Sequence, residues 1–415
     1  MIQKVKGTQD FLDMTLFNYI VSTVRTHAQY YHFHEIATPI IEPLDLFVRS
    51  LGEQTDVVSK EMFLLEAAED KDRICLRPEG TAPIVRAFIE NGVSTTPWKV
   101  FSCGPMFRYE RPQKGRYRQF NQITLEVIGS NAVAQDAQFL TMLDRLFSET
   151  FMLDSYALII NFLGCHGDRD RFKQTLYTFL NTVQDKLCAN CTLRKEKNIL
   201  RVFDCKNPVC QELYTQAPVL LDHLCSTCNT EWQELQRNLN LLSVAYSIKP
   251  SLVRGLDYYG KTVFEFVSGN LGAQNAFCGG GRYDSLAKEL GAKEDQPSLG
   301  AAFGIERLML LLEPIIDRLP LPQLPALNVI IPLDAPQQGL ALLLADELYA
   351  AKICTEVLFD GSLKSRLRKA DKLGAAYVIL IGEQEQQDRM VTVKNMQKST
   401  EERVAQDALV SYLKK

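Results

Sequence analysis

The run EPIIDRLPLPQLPALN, with prolines at 314, 320, 322 and 325, constrains this chain more than any other feature. Proline fixes its own φ, lacks an amide donor and drives the preceding residue out of the helical region, so no long helix or central strand can cross this stretch. A semi-rigid linker over 316–326 is expected. The chain has 415 residues, more than one hydrophobic core usually supports, so folded units are expected on both sides of it.

Beyond the linker, apolar runs alternate with helical spacing. Strands are expected at 328–331, 355–358, 377–381 and 390–394, and helices at 337–351, 363–373 and 402–413. This pattern predicts a small α/β layer over 327–415 with a mostly parallel sheet. Before the linker, apolar residues at 17, 20, 21, 24, 28 and 31 predict a helix. Residues 74–129 alternate short apolar and charged runs, which reads as antiparallel strands around a pocket, interrupted by a helix at 81–91. Residues 164–249 change to long amphipathic patterns with paired cysteines, as an inserted helical domain does. Strand signals resume at 262–267, and a helix follows at 305–312. The expected fold is therefore an α+β core on an antiparallel sheet (1–163 and 250–315), a cysteine-rich helical insertion (164–249) and a small α/β C-terminal domain.

A formal charge of −4 excludes a protein that coats nucleic acid indiscriminately, because that task needs a broad basic surface to release counterions. Any nucleic-acid contact must be local. No apolar run reaches the roughly 18–20 residues of a membrane span, and the start MIQKVKGTQD lacks a secretory pattern, so the cytoplasm is the expected compartment and no membrane partner is expected. Eleven cysteines in such a chain read as reduced thiols.

Five runs carry candidate chemistry. In Arg77-Pro78-Glu79-Gly80-Thr81, a carboxylate beside a glycine turn and a hydroxyl could hold an ammonium group; a surface Glu79 and a helix-capping Thr81 is the other reading. The run 107–120 (FRYERPQKGRYRQF) is a basic hairpin loop whose arginines and aromatic rings suit phosphate forks and base stacking, or a solvated face. In LVRGLDYYG (252–260) an arginine interrupts an apolar run beside two tyrosines that need polar partners if buried. FCGGGRYD (277–284) lacks the lysine and spacing of a phosphate loop and signals close backbone approach. SLGAAFGIERL (298–308) lines a helix start with small residues and places Arg307 one turn in, which admits a nucleotide against backbone.

Together and in this order, these runs resemble the histidyl-tRNA synthetase family over essentially the whole chain. EIATPIIEP (35–43), Phe107 to Phe120 and GAAFGIERL (300–308) are similar to class II motifs 1, 2 and 3, and LVRGLDYYG and FCGGGRYD to the two histidine-specific signatures. The resemblance implies activation of L-histidine with ATP and Mg²⁺ by in-line attack on the α-phosphorus, then transfer to histidine tRNA. It implies that Arg108 and Arg254 meet the α-phosphate, that Arg254 also meets the histidine carboxylate, and that Arg307 holds the far end of the triphosphate. It further assigns Glu110 to the adenine amino group, Phe120 to stacking on the ring, Glu79, Thr81 and Gln122 to the ammonium and carboxylate, and Glu126, Tyr258 and Tyr259 to the imidazole. Gln113, Arg116 and Arg118 would meet the acceptor end of the tRNA. Lys364 and Arg366, with Arg368, Lys369 and Lys372, would form an RNA surface on the tail; a solvated helix face is the alternative. A homodimer is expected through motif 1. The rival from another class is a non-catalytic synthetase-like regulatory subunit of ATP phosphoribosyltransferase, against which stand the three arginines and the tail domain.

Cys188-x2-Cys191 and Cys225-x2-Cys228 have the spacing of a tetrahedral structural Zn²⁺ site, with Cys205 and Cys210 as competing ligands. Reduced cysteines packed as small hydrophobes are the alternative.

Overall fold

A computed structural model describes residues 2–52, 55, 57–66, 73–256, 258–272 and 275–414. Asp257, in the third run, lies outside them. Two compact units divide at the proline-rich stretch, Met1–Leu321 and Pro322–Lys415.

The first unit is organised by an eight-stranded sheet, in the order His34–Glu35, Trp98–Phe107, Gln119–Ile128, Ser298–Gly304, Ala276–Arg282, Gly260–Val267, Ala157–Phe162 and Ser247–Ile248. Its six central strands pair antiparallel, and a parallel pair closes each edge. Strand side chains alternate between faces, so the two faces can be read from the sequence. Ile123, Leu125 and Val127, Leu299, Ala301 and Phe303, and Phe264 and Phe266 all enter the main core. The helices Thr15–Tyr30, Val133–Arg145 and Ile305–Leu312 cover that face with Ile20, Val24, Leu140, Leu143, Leu308 and Leu312. Thr15–Tyr30 buries Leu16, Tyr19, Ile20, Val24 and Ala28, a stripe of three- and four-residue steps, and the Asp13 carboxylate accepts the Thr15 N–H at 2.8 Å at its start. Aromatic packing is dense here: the Phe147 ring meets Phe266, Phe277 and Phe303 edge-on.

The opposite face carries Gln122, Thr124, Glu126, Glu265, Gly279, Gly281, Gly300 and Ala302, a small and polar surface in cross-strand register. Arg282 fastens the glycine strand to the helix Val133–Arg145 through a buried ion pair with Asp136 at 2.6 Å.

Between residues 164 and 249 the helices are His166–Thr182, Ala189–Lys197, Pro208–Tyr214 and Ser226–Leu241. Phe172, Leu176, Leu180, Ile199, Val202 and Leu220 form a local core, whereas Trp232, Leu235 and Leu239 join the main one.

In the second unit, the strands Thr355–Val357, Asn328–Pro332 and Tyr377–Ile381 run parallel, and Met390–Asn395 and Thr400–Ala405 continue the sheet antiparallel. Two expectations are corrected here. The sheet is mixed rather than mostly parallel, and the helix expected over 402–413 is a strand followed by a short helix, Leu409–Leu413. A turn in which the Asn395 side chain accepts from the N–H groups of Gln397 and Lys398 folds the strand back, setting Val404 opposite Val391. Among the described residues, no helix is long and apolar enough to cross a membrane.

Candidate active site

Glu126 is fully buried on the polar face of the sheet. Thr81 Oγ1 donates to its Oε1 at 2.6 Å, and the Tyr283 hydroxyl donates to Oε2. Burial pushes its carboxyl well above the usual range, partly offset by these two donors. Gly300 stands beside it in register, and a Cβ there would collide with the carboxylate, so this glycine is a requirement of the site. Tyr258 is buried next to it, with ring centroids 4.5 Å from Tyr259 and 5.6 Å from Tyr283. A carboxylate among three phenols and a threonine is a polar pocket inside an otherwise apolar layer.

Glu79 is buried too, so it is not a surface charge. Its carboxylate accepts the Thr81 and Ala82 N–H groups at 2.7 and 2.8 Å, which caps the helix Thr81–Glu90. Thr81 is thereby held with its hydroxyl on Glu126.

Above this cluster, Arg108, Glu110, Phe120, Gln122, Arg254 and Arg307 line one cavity of 620 Å³. Arg254 lies against Gly279, whose absent Cβ would stand 2.6 Å from the guanidinium, and is ion-paired to Glu265. Burial opposes its charge, but Glu265 holds its pKa above the ordinary value. Its Nε is buried and, among the described residues, has no acceptor. Arg108 donates to the Pro78 carbonyl at 2.8 Å and stacks 5.5 Å from the Phe120 ring centroid. Arg307 donates to the Gly115 carbonyl at 3.1 Å and to that of Ala276. Burial, with Arg116 and Arg108 nearby, lowers its pKa to about 10, so it remains a cation at neutral pH. Glu110 is paired with Arg116 at 2.6 Å. The structure thus brings Arg108, Glu110, Phe120, Arg254 and Arg307, expected around a nucleotide, to one cavity with Gln122, expected at the amino acid, and buries Glu79, Thr81, Glu126 and Tyr258 beside it.

Glu265 and Tyr283, which hold Arg254 and Glu126, were given no role by sequence. Glu265 had a signal, a lone acid in the apolar strand TVFEFV; Tyr283 lay in the FCGGGRYD run without one. Arg194 and Arg201, from the helical insertion, also line the cavity.

Lys114 and Gly115 form a two-residue hairpin between Gln113 and Arg116, with Gly115 at φ 73°. Gln113 is exposed at its tip, while Arg116 is paired to Glu110 and Arg118 stacks 3.8 Å from the Tyr109 ring centroid. On the tail helix Leu363–Lys372, Lys364, Arg368, Lys369 and Lys372 are exposed. Arg366 is a correction: it is buried and donates to the backbone carbonyls of Pro332, Leu333 and Leu358, because the face carrying Arg366 and Ala370 packs on the sheet. It is a structural arginine, not part of an RNA surface.

The metal quartet is the other correction. The two CxxC pairs do not meet: Cys188 and Cys191 cluster with Cys205 and Cys210, whereas Cys225 and Cys228 cluster with Cys165 and Asp168.

Residues 63–314 match the tRNA synthetase class II core domain (G, H, P, S and T), and residues 328–415 match an anticodon binding domain. The histidine--tRNA ligase of Solidesulfovibrio magneticus is 43% identical, covering 100% of this chain and 97% of its own length. That of Syntrophotalea carbinolica is 41% identical over 99% of this chain and 98% of its own. The crystal structure of apo S. aureus histidyl-tRNA synthetase superposes with a TM-score of 0.81 at 32% identity, covering 100% of both chains. With matches that span the full length, the chain belongs to the histidine--tRNA ligase family of class II aminoacyl-tRNA synthetases.

Proposed function

We propose that the 620 Å³ cavity binds ATP beside L-histidine and that its arginines carry the adenylation. The histidine carboxylate attacks the α-phosphorus, the bond to pyrophosphate breaks, and histidyl-adenylate forms; a ribose hydroxyl at the 3′ end of histidine tRNA then takes the histidyl group and AMP leaves. The reading rests on one observation above the others: Arg254 is pinned over Gly279 by Glu265 and lines the cavity. A carboxylate or phosphate oxygen bound there, and charge developing in the transition state, would meet a cation already in place. Arg108 takes the α-phosphate and Arg307 the far end of the triphosphate, with Phe120 stacking on adenine and Glu110 meeting its amino group.

Glu79, Thr81 and Gln122 face the ammonium and carboxylate ends of histidine. Glu126, Tyr258 and Tyr259 read the imidazole. An apolar side chain entering there leaves a buried carboxylate unmatched, a penalty that discriminates without editing. Enzymes of this class use ATP with magnesium. Glu110, Glu265 and Glu306 at the cavity are engaged by Arg116, Arg254 and Asn121, so phosphate oxygens would supply most of the ion's ligands.

Gln113, Arg116 and Arg118 present the hairpin to the tRNA acceptor end, and the exposed Lys364 with its neighbours presents the tail to RNA. The 35–43 segment exposes Ile40 and Ile41, which supports burial in a homodimer. Histidine-dependent exchange of pyrophosphate into ATP, followed by charging of histidine tRNA, tests the reading. Exchange with histidine alone among the amino acids is expected. Its absence in folded, magnesium-supplied protein overturns the reading.

A further inference from the structure

We infer that Cys188, Cys191, Cys205 and Cys210 form a tetrahedral zinc site that ties together one wall of the cavity. The four cysteines are free, and all four Sγ atoms lie within 4.8 Å of one another. Cys188 and Cys205 are 3.7 Å apart at sulfur. A zinc ion with Zn–S bonds of about 2.3 Å separates its tetrahedral sulfurs by about 3.8 Å, whereas a disulfide would bring two of them to about 2 Å. The spacing C-x2-C-x13-C-x4-C is that of a compact zinc module, tighter than the pairing of both CxxC motifs.

The surroundings suit thiolates better than packed thiols. Cys188 is the residue before the helix Ala189–Lys197, Cys191 lies in its first turn, Cys205 follows a 3₁₀ turn, and Cys210 lies in Pro208–Tyr214. The Cys188 N–H points at the Cys210 sulfur and the Asn207 N–H at the Cys205 sulfur, both at 3.4 Å. The buried Tyr214 hydroxyl has no hydrogen-bond partner among the described residues, and the side chain packs against the sulfurs. Backbone N–H donors converging on sulfur match an anionic site, and Lys186 and Lys206 flank it in sequence. Binding releases the four thiol protons to solvent and leaves a ZnS₄ centre with two negative charges.

The sulfurs sit beside the local core rather than in it: Ile199 and Val202 point into that core, and Leu187 and Tyr214 pack against both. Phe203, Asp204, Lys206 and Gln211, with Arg194 and Arg201, line the 620 Å³ cavity, so the metal would fix their positions. The second group does not share this character. The Asp168 carboxylate is spent on the N–H groups of Cys165 and Cys225 and on Arg171, and it caps the helix His166–Thr182.

Metal analysis of the full-length protein, purified under reducing conditions from zinc-supplemented cells, tests the inference independently of catalysis. One zinc per chain is expected, lost in Cys191→Ser and kept in Cys225→Ser. Should Cys191→Ser fail to fold, cobalt exchanged into the parent protein gives the visible bands and sulfur-to-metal charge transfer of a tetrahedral thiolate site. Absence of stoichiometric metal with no zinc or cobalt uptake, iron in place of zinc, or zinc lost from Cys225→Ser but kept in Cys191→Ser overturns it.

Discussion

The sheet-borne pocket around Glu126 and the cysteine-rich segment at 188–214 border the same active-site region but hold their side chains in different ways. In the sheet, hydrogen-bond register decides everything: Gly300 is opposite Glu126 and Gly279 opposite Glu265 because the ladder allows no other pairing. In the segment, short helices and turns send their apolar residues into a separate local core, and four sulfurs converge beside it. Damage to the first should therefore change chemistry while the fold persists. Damage to the second should loosen a wall while the chemistry persists.

Arg254→Gln should give the largest effect, a fall of about 10²–10³ in the rate of adenylate formation, since a preorganised donor to developing charge is lost. Single-turnover kinetics with unchanged thermal unfolding would fit the sheet side of the contrast; collapse of the fold would break it. Glu126→Gln should lower kcat/KM for histidine by about 10- to 100-fold, the cost of weakening a charged hydrogen bond. Its stability should move the other way. Burial raises the folded pKa of Glu126 above the reference 4.5, so the carboxyl's favourable contribution is full below that value and is lost as pH rises through the folded pKa. The glutamine variant should gain over the parent in denaturant titrations at neutral pH, with the gap closing as pH falls toward 4.

Cys210→Ser should leave kcat nearly intact and raise KM for ATP a few-fold, with new cleavage within 188–214 in limited proteolysis. An undiminished resistance to protease would mean that the sulfurs hold nothing. The smallest effect on activation belongs to Arg366→Ala, which lies in the other unit. It should leave pyrophosphate exchange unchanged while destabilising the tail by about 1–3 kcal/mol, because three carbonyls lose their donor. Calorimetry of the full chain reads that difference.

Much of this was legible in the sequence, and what was not has physical reasons. Helix and strand periods gave the strands Trp98–Phe107, Gln119–Ile128 and Gly260–Val267, the helix Ile305–Leu312 and most of the tail, because each has one apolar face; Ala276–Arg282 and Ser298–Gly304 escaped because their glycines and alanines leave no alternation to read. Thr400–Ala405 escaped because it is an edge strand whose exposed Glu401, Glu402 and Arg403 leave only Val404 buried, a pattern too thin to separate from a polar helix. Arg254 stood out as a charge in an apolar run. Its partner Glu265 and the Glu126 partner Tyr283 did not, since the fold joins side chains 11 and 157 positions apart. Equal CxxC spacing likewise carried no information about which pair folds against which, and Arg366 looked like its basic neighbours until a helix face was chosen.

Gly300 also bears on how this pocket can change over generations. Every single-codon replacement there adds a side chain where the Glu126 carboxylate lies, so the pocket floor cannot be reshaped by small steps. A change at Thr81, Glu126 or Tyr283 would have to keep the same close fit, so drift toward another substrate would have to begin at the half-buried Tyr259 rather than at the base.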